Sequence, residues 1–436
     1  MTALPHETAP RDCCSDFAAA AASRRTVLKG ALGVGAGLSV TQMLGDSMLQ
    51  ASFAGAKGGN TLVVLSLRGG IDGLGVVVPH GDPGYYKARP KIAIPADQLV
   101  CKDDMFGLHP KLAPLAPLWQ SGELAAIQAV GLPVVNRSHF AATEEVEDAA
   151  PGSAERSGWI NRMIGVGKTS STPSANGGVM DAVGLGTPFP STALAGDAPV
   201  LTSADLDGLR VAGLDKEYVD SRYSSLGTMW GSAGGVLRRA ANEAVSISRS
   251  TNGKILGAES TATYPTEWNA SPFATPLRSA AGLIRADLGT DVIAIDAGAW
   301  DYHNNYGRTG YGQMQSSLDG LGRSLKAFFD DLGPLRSRVT VVTISEFGRR
   351  VAENGNEGLD HGWGNMMLVA GAGVKGGAYY SEWPRLDAAA LAEGDLKVTT
   401  DYRSVLWELV SKRFPDRSLS TMFPGFTAPQ SVGFMR

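Results

Sequence analysis

The chain has 436 residues, 43% of them hydrophobic and 19% charged, with a formal net charge of −4. That is the balance of a globular protein with a sizeable core. It excludes a nucleic-acid binder working through a basic surface and a protein held on an anionic membrane by charge.

Ser23-Arg24-Arg25-Thr26-Val27-Leu28-Lys29 fits the twin-arginine export pattern. A weakly apolar stretch follows, and Ala54-Gly55-Ala56 offers a small-x-small cleavage site. The glycines between Gly30 and Gly55, with Asp46 and Gln50 among them, argue against a membrane-spanning helix. Residues 1–56 therefore read as a twin-arginine signal peptide. The expected partner during export is the twin-arginine translocase, and the expected destination is periplasmic or extracellular, with no stable membrane anchor. Cys13 and Cys14 fall in this segment, so Cys101 stands alone and no intrachain disulfide is expected.

Residues 57–436 read as one α/β domain. Thr61 to Leu67 is a first buried strand, and Arg68-Gly69-Gly70-Ile71-Asp72-Gly73 is the turn after it. Asp72 there is either turn chemistry or a carboxylate projected into a site. Leu124 to Val130 is a second buried strand, followed by Arg137-Ser138-His139-Phe140 and an acidic helix over Ala141 to Ala149. Ser138 reads equally as an N-cap and as a hydroxyl held at the positive end of a helix, beside Arg137 and His139. Gly167 to Pro276 is rich in small and polar residues and reads as an insertion or cap region. Trp230 and Trp268 within it read as packing residues or as carbohydrate-stacking platforms, with packing favoured.

Pro276 to Leu288 predicts a helix, and Asp291 to Asp296 a core strand. Asp301 and His303 follow it. In an extended chain they share a side, giving a carboxylate and an imidazole for half a metal site. Leu318, Leu321, Leu325, Phe328 and Phe329 make an apolar stripe on a helix over Tyr311 to Leu332. Val339 to Ile344 is β-branched throughout and predicts a strand buried on both faces. Ser345-Glu346-Phe347-Gly348-Arg349 and Asp360-His361-Gly362 come next, where open α/β sheets place their ligands. The plain alternative is a surface ion pair of Glu346 and Arg349 with an ordinary loop histidine. Met366 to Ala370 is a further strand, and Val398 to Phe414 a final helix with an N-cap signal at Asp401.

Together, Asp72, Asp301, His303, Glu346, Asp360 and His361 offer carboxylate and imidazole ligands from several strand ends. That mixture suits a divalent metal, zinc or manganese, better than calcium. Leu67 to Leu74, Leu108-His109-Pro110, Arg137 to Phe140, Trp300 to His303, Ser345 to Arg349 and Asp360 to Gly362 resemble, in order, the exported bacterial family called domain of unknown function 1501. The resemblance implies an alkaline phosphatase-like fold, also that of the sulfatases: a mostly parallel central sheet flanked by helices. It places Asp72, Asp301, His303, Glu346 and His361 at metal positions and Ser138 at the nucleophile position. Two departures stand out. Glu346-Phe347 replaces the superfamily's late-strand Asp-His pair, and no formylglycine motif is present. The expectation is a metal-dependent hydrolase of small-molecule or polymer phosphate or related esters. Ser138 would attack, Arg137 or Arg349 would steady the anion, and His139 would lie beside them. The alternative is a non-catalytic binding or envelope-assembly protein on the same fold.

Overall fold

The computed structural model describes residues 59–165, 180–207, 218–231 and 260–436, apart from 155, 188 and 261, with scattered positions between 245 and 258. The expected signal peptide, 1–56, lies outside the described residues, as does much of the expected insertion, 167–276.

The described strands are β1 (Thr61–Ser66), β2 (Val77–Val78), β3 (Gly107–Leu108), β4 (Leu124–Gly131), β5 (Ala182–Leu185), β6 (Leu201–Ser203), β7 (Val292–Asp296), β8 (Val339–Ile344), β9 (Asn365–Gly371), β10 (Ala378–Tyr380) and β11 (Thr400–Asp401). The main sheet runs β10-β4-β9-β8-β1-β7-β5-β6, with β11 paired to β4. Strands β1, β7, β8, β5 and β6 pair in parallel, as do β4, β10 and β11. β9 alone among the described strands of this sheet runs antiparallel, against β4 and β8. The mostly parallel sheet is as expected. β5 and β6 extend its edge although they fall within 167–276, so that region is not wholly an insertion.

Every residue of β8 and β9 is buried. The reason is that helices cover both faces. Leu62 and Val64 of β1 pack on one side, with Val405, Leu406 and Leu409 of α4 (Tyr402–Arg413). Val63 and Leu65 pack on the other, with the stripe Leu318, Leu321, Leu325, Phe328 and Phe329 of α3 (Gln313–Leu332). Period-two alternation in the strand sends neighbours to opposite faces, and period-3.6 alternation in the helix meets them. Helix α1 (His139–Asp148) follows β4, and α2 (Ser271–Ala286) precedes β7. α2 starts five residues before the expected Pro276. Pro272 supplies the usual early-turn proline, and Pro276 then gives up only one backbone bond. Among the described residues, no helix is long and apolar enough to cross a membrane.

The reversed direction of β9 fixes the course of the loop before it. Strands β1, β4, β7 and β8 are mutually parallel, so their carboxyl ends share one edge of the sheet. β9 enters from that same edge. The β8–β9 connection therefore stays there and carries Glu346, Asp360 and His361 with it.

Candidate metal centre

Three imidazoles and one carboxylate meet at this edge. His139 Nε2 lies 3.0 Å from His361 Nε2, and His303 Nε2 lies 3.0 Å from the same atom. Asp301 stands among them, with Oδ1 3.0 Å from His303 Nε2 and 3.4 Å from His361 Nε2, and Oδ2 3.6 Å from His139 Nε2. His139, Asp301 and His361 each offer a ligand atom within 4.8 Å of the others. His303 completes the cluster from the side of Asp301 and His361.

The other nitrogen of each ring fixes what these distances mean. His139 Nδ1 lies 2.7 Å from Glu346 Oε1, His303 Nδ1 3.0 Å from Asp360 Oδ1, and His361 Nδ1 2.9 Å from the Arg137 carbonyl oxygen. Each of those oxygens is an acceptor, so each Nδ1 carries the proton and donates it. The three Nε2 atoms then turn lone pairs toward one another and toward a carboxylate. Lone pairs 3.0 Å apart repel unless a cation or protons stand between them. The His139, Asp301 and His361 donors fit a divalent metal: ligands about 2.0–2.1 Å from a zinc ion lie about 3.3–3.4 Å apart in a tetrahedron, and the two imidazoles stand 3.0 Å from each other and 3.4 and 3.6 Å from one or other Asp301 oxygen.

The electrostatics agree. Burial pulls the His139 imidazole down, but hydrogen bonds with Asp301 and Glu346 outweigh it and lift it to about 9. The bond with Asp301 raises His303 against the effect of burial. Burial works to raise Asp301, yet its bonds to His139, His303, His361 and Arg349 hold it well below the usual carboxylate range. Glu346 is likewise lowered by His139 and by backbone donors despite burial, and Asp360 by His303 and Asn354. This edge of the sheet stabilises positive charge at its centre.

The local chain explains how the cluster is held. Phe347, 1% exposed, lies beneath two of the rings, with centroids 4.7 Å from His139 and 4.9 Å from His361. Phe347 thus supports two imidazoles from below. Gly70, at φ +62, makes room for it: a Cβ there would sit 2.5 Å from the Phe347 ring. Gly69 N donates to Glu346 Oε1 at 2.8 Å, tying the β1 turn to the residue after β8.

The remaining expected residues fall differently. Glu346 and Asp360 are not brought to the convergence point; they grip the far nitrogens of His139 and His303. Asp72 is not brought there either. Its carboxylate, 2% exposed, accepts from Arg89 Nη1 at 2.6 Å, Arg89 Nη2 at 2.9 Å and the Tyr306 hydroxyl at 2.6 Å. Arg349 is 2% exposed, with its guanidinium on the Gly69, Gly70 and Leu359 carbonyls and, at 2.6 Å, on Asp301 Oδ1. It positions Asp301 and faces no open anion site. Arg137 bonds Asp395 at 2.6 and 2.9 Å. Ser138 is exposed and is the N-cap of α1, yet its side chain makes no capping bond. His109 is wholly buried, pushed down to about 3 by burial and Lys111, and caps a short helix through Nδ1.

His139 was expected beside the nucleophile, and the structure places it in the cluster. The sequence signal was there: it follows a buried strand by eight residues, as Asp301 follows another by five.

Fold and site together define a mostly parallel α/β protein with a histidine-rich, metal-ready centre at the carboxyl edge of its sheet. The chain belongs to the family DUF1501, described as protein of unknown function, whose model matches residues 114–404. No curated protein matches it. Among solved structures, that of the lipoteichoic acid synthase LtaP from Listeria monocytogenes is similar at 9% identity and a TM-score of 0.30, over 83% of this chain and 80% of that one.

Proposed function

We propose that the protein is an exported, metal-dependent hydrolase of phosphate or related esters. The observation that carries the reading is the convergence of three Nε2 atoms on Asp301, with every Nδ1 facing an oxygen acceptor. His139, His303, His361 and Asp301 would hold a divalent ion, zinc or manganese. Such an ion supplies Lewis-acid polarisation of an ester oxygen. Glu346, Asp360 and the Arg137 carbonyl keep the rings oriented, and Arg349 keeps Asp301 in place.

Ser138 supplies the attacking hydroxyl. Its exposure and its lack of a capping bond favour that role, as does its place one residue before a ligand. Because both arginines are committed, the anion is steadied by the uncapped amino end of α1 and not by Arg137 or Arg349. Export follows from the twin-arginine motif in residues 1–56.

The test is metal content and ester hydrolysis on one preparation. Wild-type protein should bind zinc or manganese stoichiometrically and hydrolyse p-nitrophenyl phosphate or sulfate. His361→Ala should lose the metal, and Ser138→Ala should keep it and lose turnover. Metal binding with no hydrolysis of either ester would favour the second reading, a non-catalytic binding or envelope-assembly protein. The engagement of Arg137 and Arg349 with carboxylates is what speaks for it. Folded protein that takes up no divalent ion would refute the metal-dependent hydrolase and leave the second reading.

A further inference from the structure

Two residues after His303, Asn305 lines a cleft of about 490 Å³, a size typical of small-molecule sites. Its walls carry Trp268 and Tyr311, which are 79% and 68% exposed. Packing was the favoured reading of Trp268, and its exposure corrects that. Aromatic rings are costly to leave in water, and here two line one cleft. Gln315 of α3 also lines it, is 1% exposed, and has no hydrogen-bond partner for either Oε1 or Nε2. A buried amide left unmade costs about 1–3 kcal/mol. Such a group calls for a partner, and a ligand in the cleft would supply one where ordered water does not.

The rest of the lining narrows the ligand. Asn269 Nδ2 donates to the Ser316 carbonyl and Asn305 Nδ2 to Asn304 Oδ1, which orients both amides, and each keeps an Oδ1 acceptor. Asp319 faces Arg323 at 2.9 Å and Lys111 at 3.7 Å, so the charges in the lining are already balanced. Among the described residues of the lining, an anion finds no spare cation. A neutral ring with apolar C–H faces and many hydroxyls finds flat aromatics, an amide that both donates and accepts, and two amide oxygens.

We propose that this cleft binds a neutral saccharide, stacked on Trp268 and Tyr311 and hydrogen-bonded by Gln315. The site does not depend on the metal reading, because its test reads binding by metal-free protein. The experiment is saturation-transfer NMR and calorimetry with cellotriose, maltotriose and chitotriose, and with adenosine as the competing flat ligand. At least one trisaccharide should bind the wild type. Trp268→Ala, at an exposed position, should weaken it about tenfold or more. Gln315→Met should weaken it similarly while raising the melting temperature, since the unpaired amide is gone. The proposal is overturned by no trisaccharide binding at millimolar concentration, by binding indifferent to both substitutions, or by adenosine binding tighter than every trisaccharide.

Discussion

Asp72→Asn separates a structural carboxylate from a metal ligand. Asp72 and Arg89 are 2% and 1% exposed, and three hydrogen bonds of 2.6–2.9 Å end on the Asp72 carboxylate. Arg89 cannot swing into water, because its Nε holds the Val351 carbonyl at 2.9 Å and it lies over the Tyr85 ring at 5.6 Å. Nor can the pocket relax easily. A Cβ on Gly75 would already sit 2.1 Å from the Tyr306 hydroxyl and 2.5 Å from Asp72 Oδ2. Asparagine keeps the shape, removes the charge and turns an NH₂ toward existing donors. Breaking a buried pair in this way costs about 3–5 kcal/mol, most of it from the stranded guanidinium. Urea denaturation at neutral pH should show that loss, while calorimetric zinc affinity stays at the wild-type value. Asp72→Asn combined with Arg89→Met should recover much of the stability, since no lone charge remains. A stability change below about 1 kcal/mol together with lost zinc binding would refute the structural assignment and return Asp72 to the ligand set.

Glu346→Gln and Asp360→Asn should each weaken zinc binding about 10–100-fold in a competition assay, because each frees a ring that its carboxylate orients. Metal affinity should climb with pH and level off above about 9, since the proton on His139 must leave first; a flat profile between pH 6.5 and 9 would contradict the cluster. In metal-free protein the sign reverses. The raised His139 stabilises the fold fully below 6.5, and that contribution should fade as pH rises through about 9, as denaturation at stepped pH would reveal. Phe347→Ala should cost about 3–5 kcal/mol by leaving a cavity under two rings, and should lower zinc affinity beyond what thermal melts of metal-free protein explain.

Much of the frame was legible because the sequence patterns were strong. Val339 to Ile344 is wholly β-branched and is a strand over those same residues. The Leu318 to Phe329 stripe is buried as its period predicts. The edge of the sheet was harder. β5 and β6 sit among small and polar residues whose pattern resembles a loop, and only the pairing of β5 with β7 and of β6 with β5 makes them strands. At the site, sequence found the right residue types and mixed their roles. A carboxylate that binds metal and one that holds a metal-binding ring are chemically the same residue. What separates Asp301 from Glu346 and Asp360 is which ring nitrogen each one meets, and that is set by the paths of three chain segments. Arg349 was similarly ambiguous: its neighbour Glu346 suggested an ion pair, but folding sends its guanidinium to Asp301 and three carbonyls.

The ring contacts between His139 and His361 join residues 222 positions apart, one beyond the end of β4 and the other beyond the end of β8. No fragment of the chain holds the set. A nascent or partly folded polypeptide would present scattered histidines with ordinary affinity for metal, and tight binding would switch on only when the sheet closes. With the proposed metal bound there, ion capture would act as a proofreading step on folding itself. Under the proposed twin-arginine export, a route that carries folded cargo, it would put the choice of metal in the compartment where folding finishes and not in the one where the protein works.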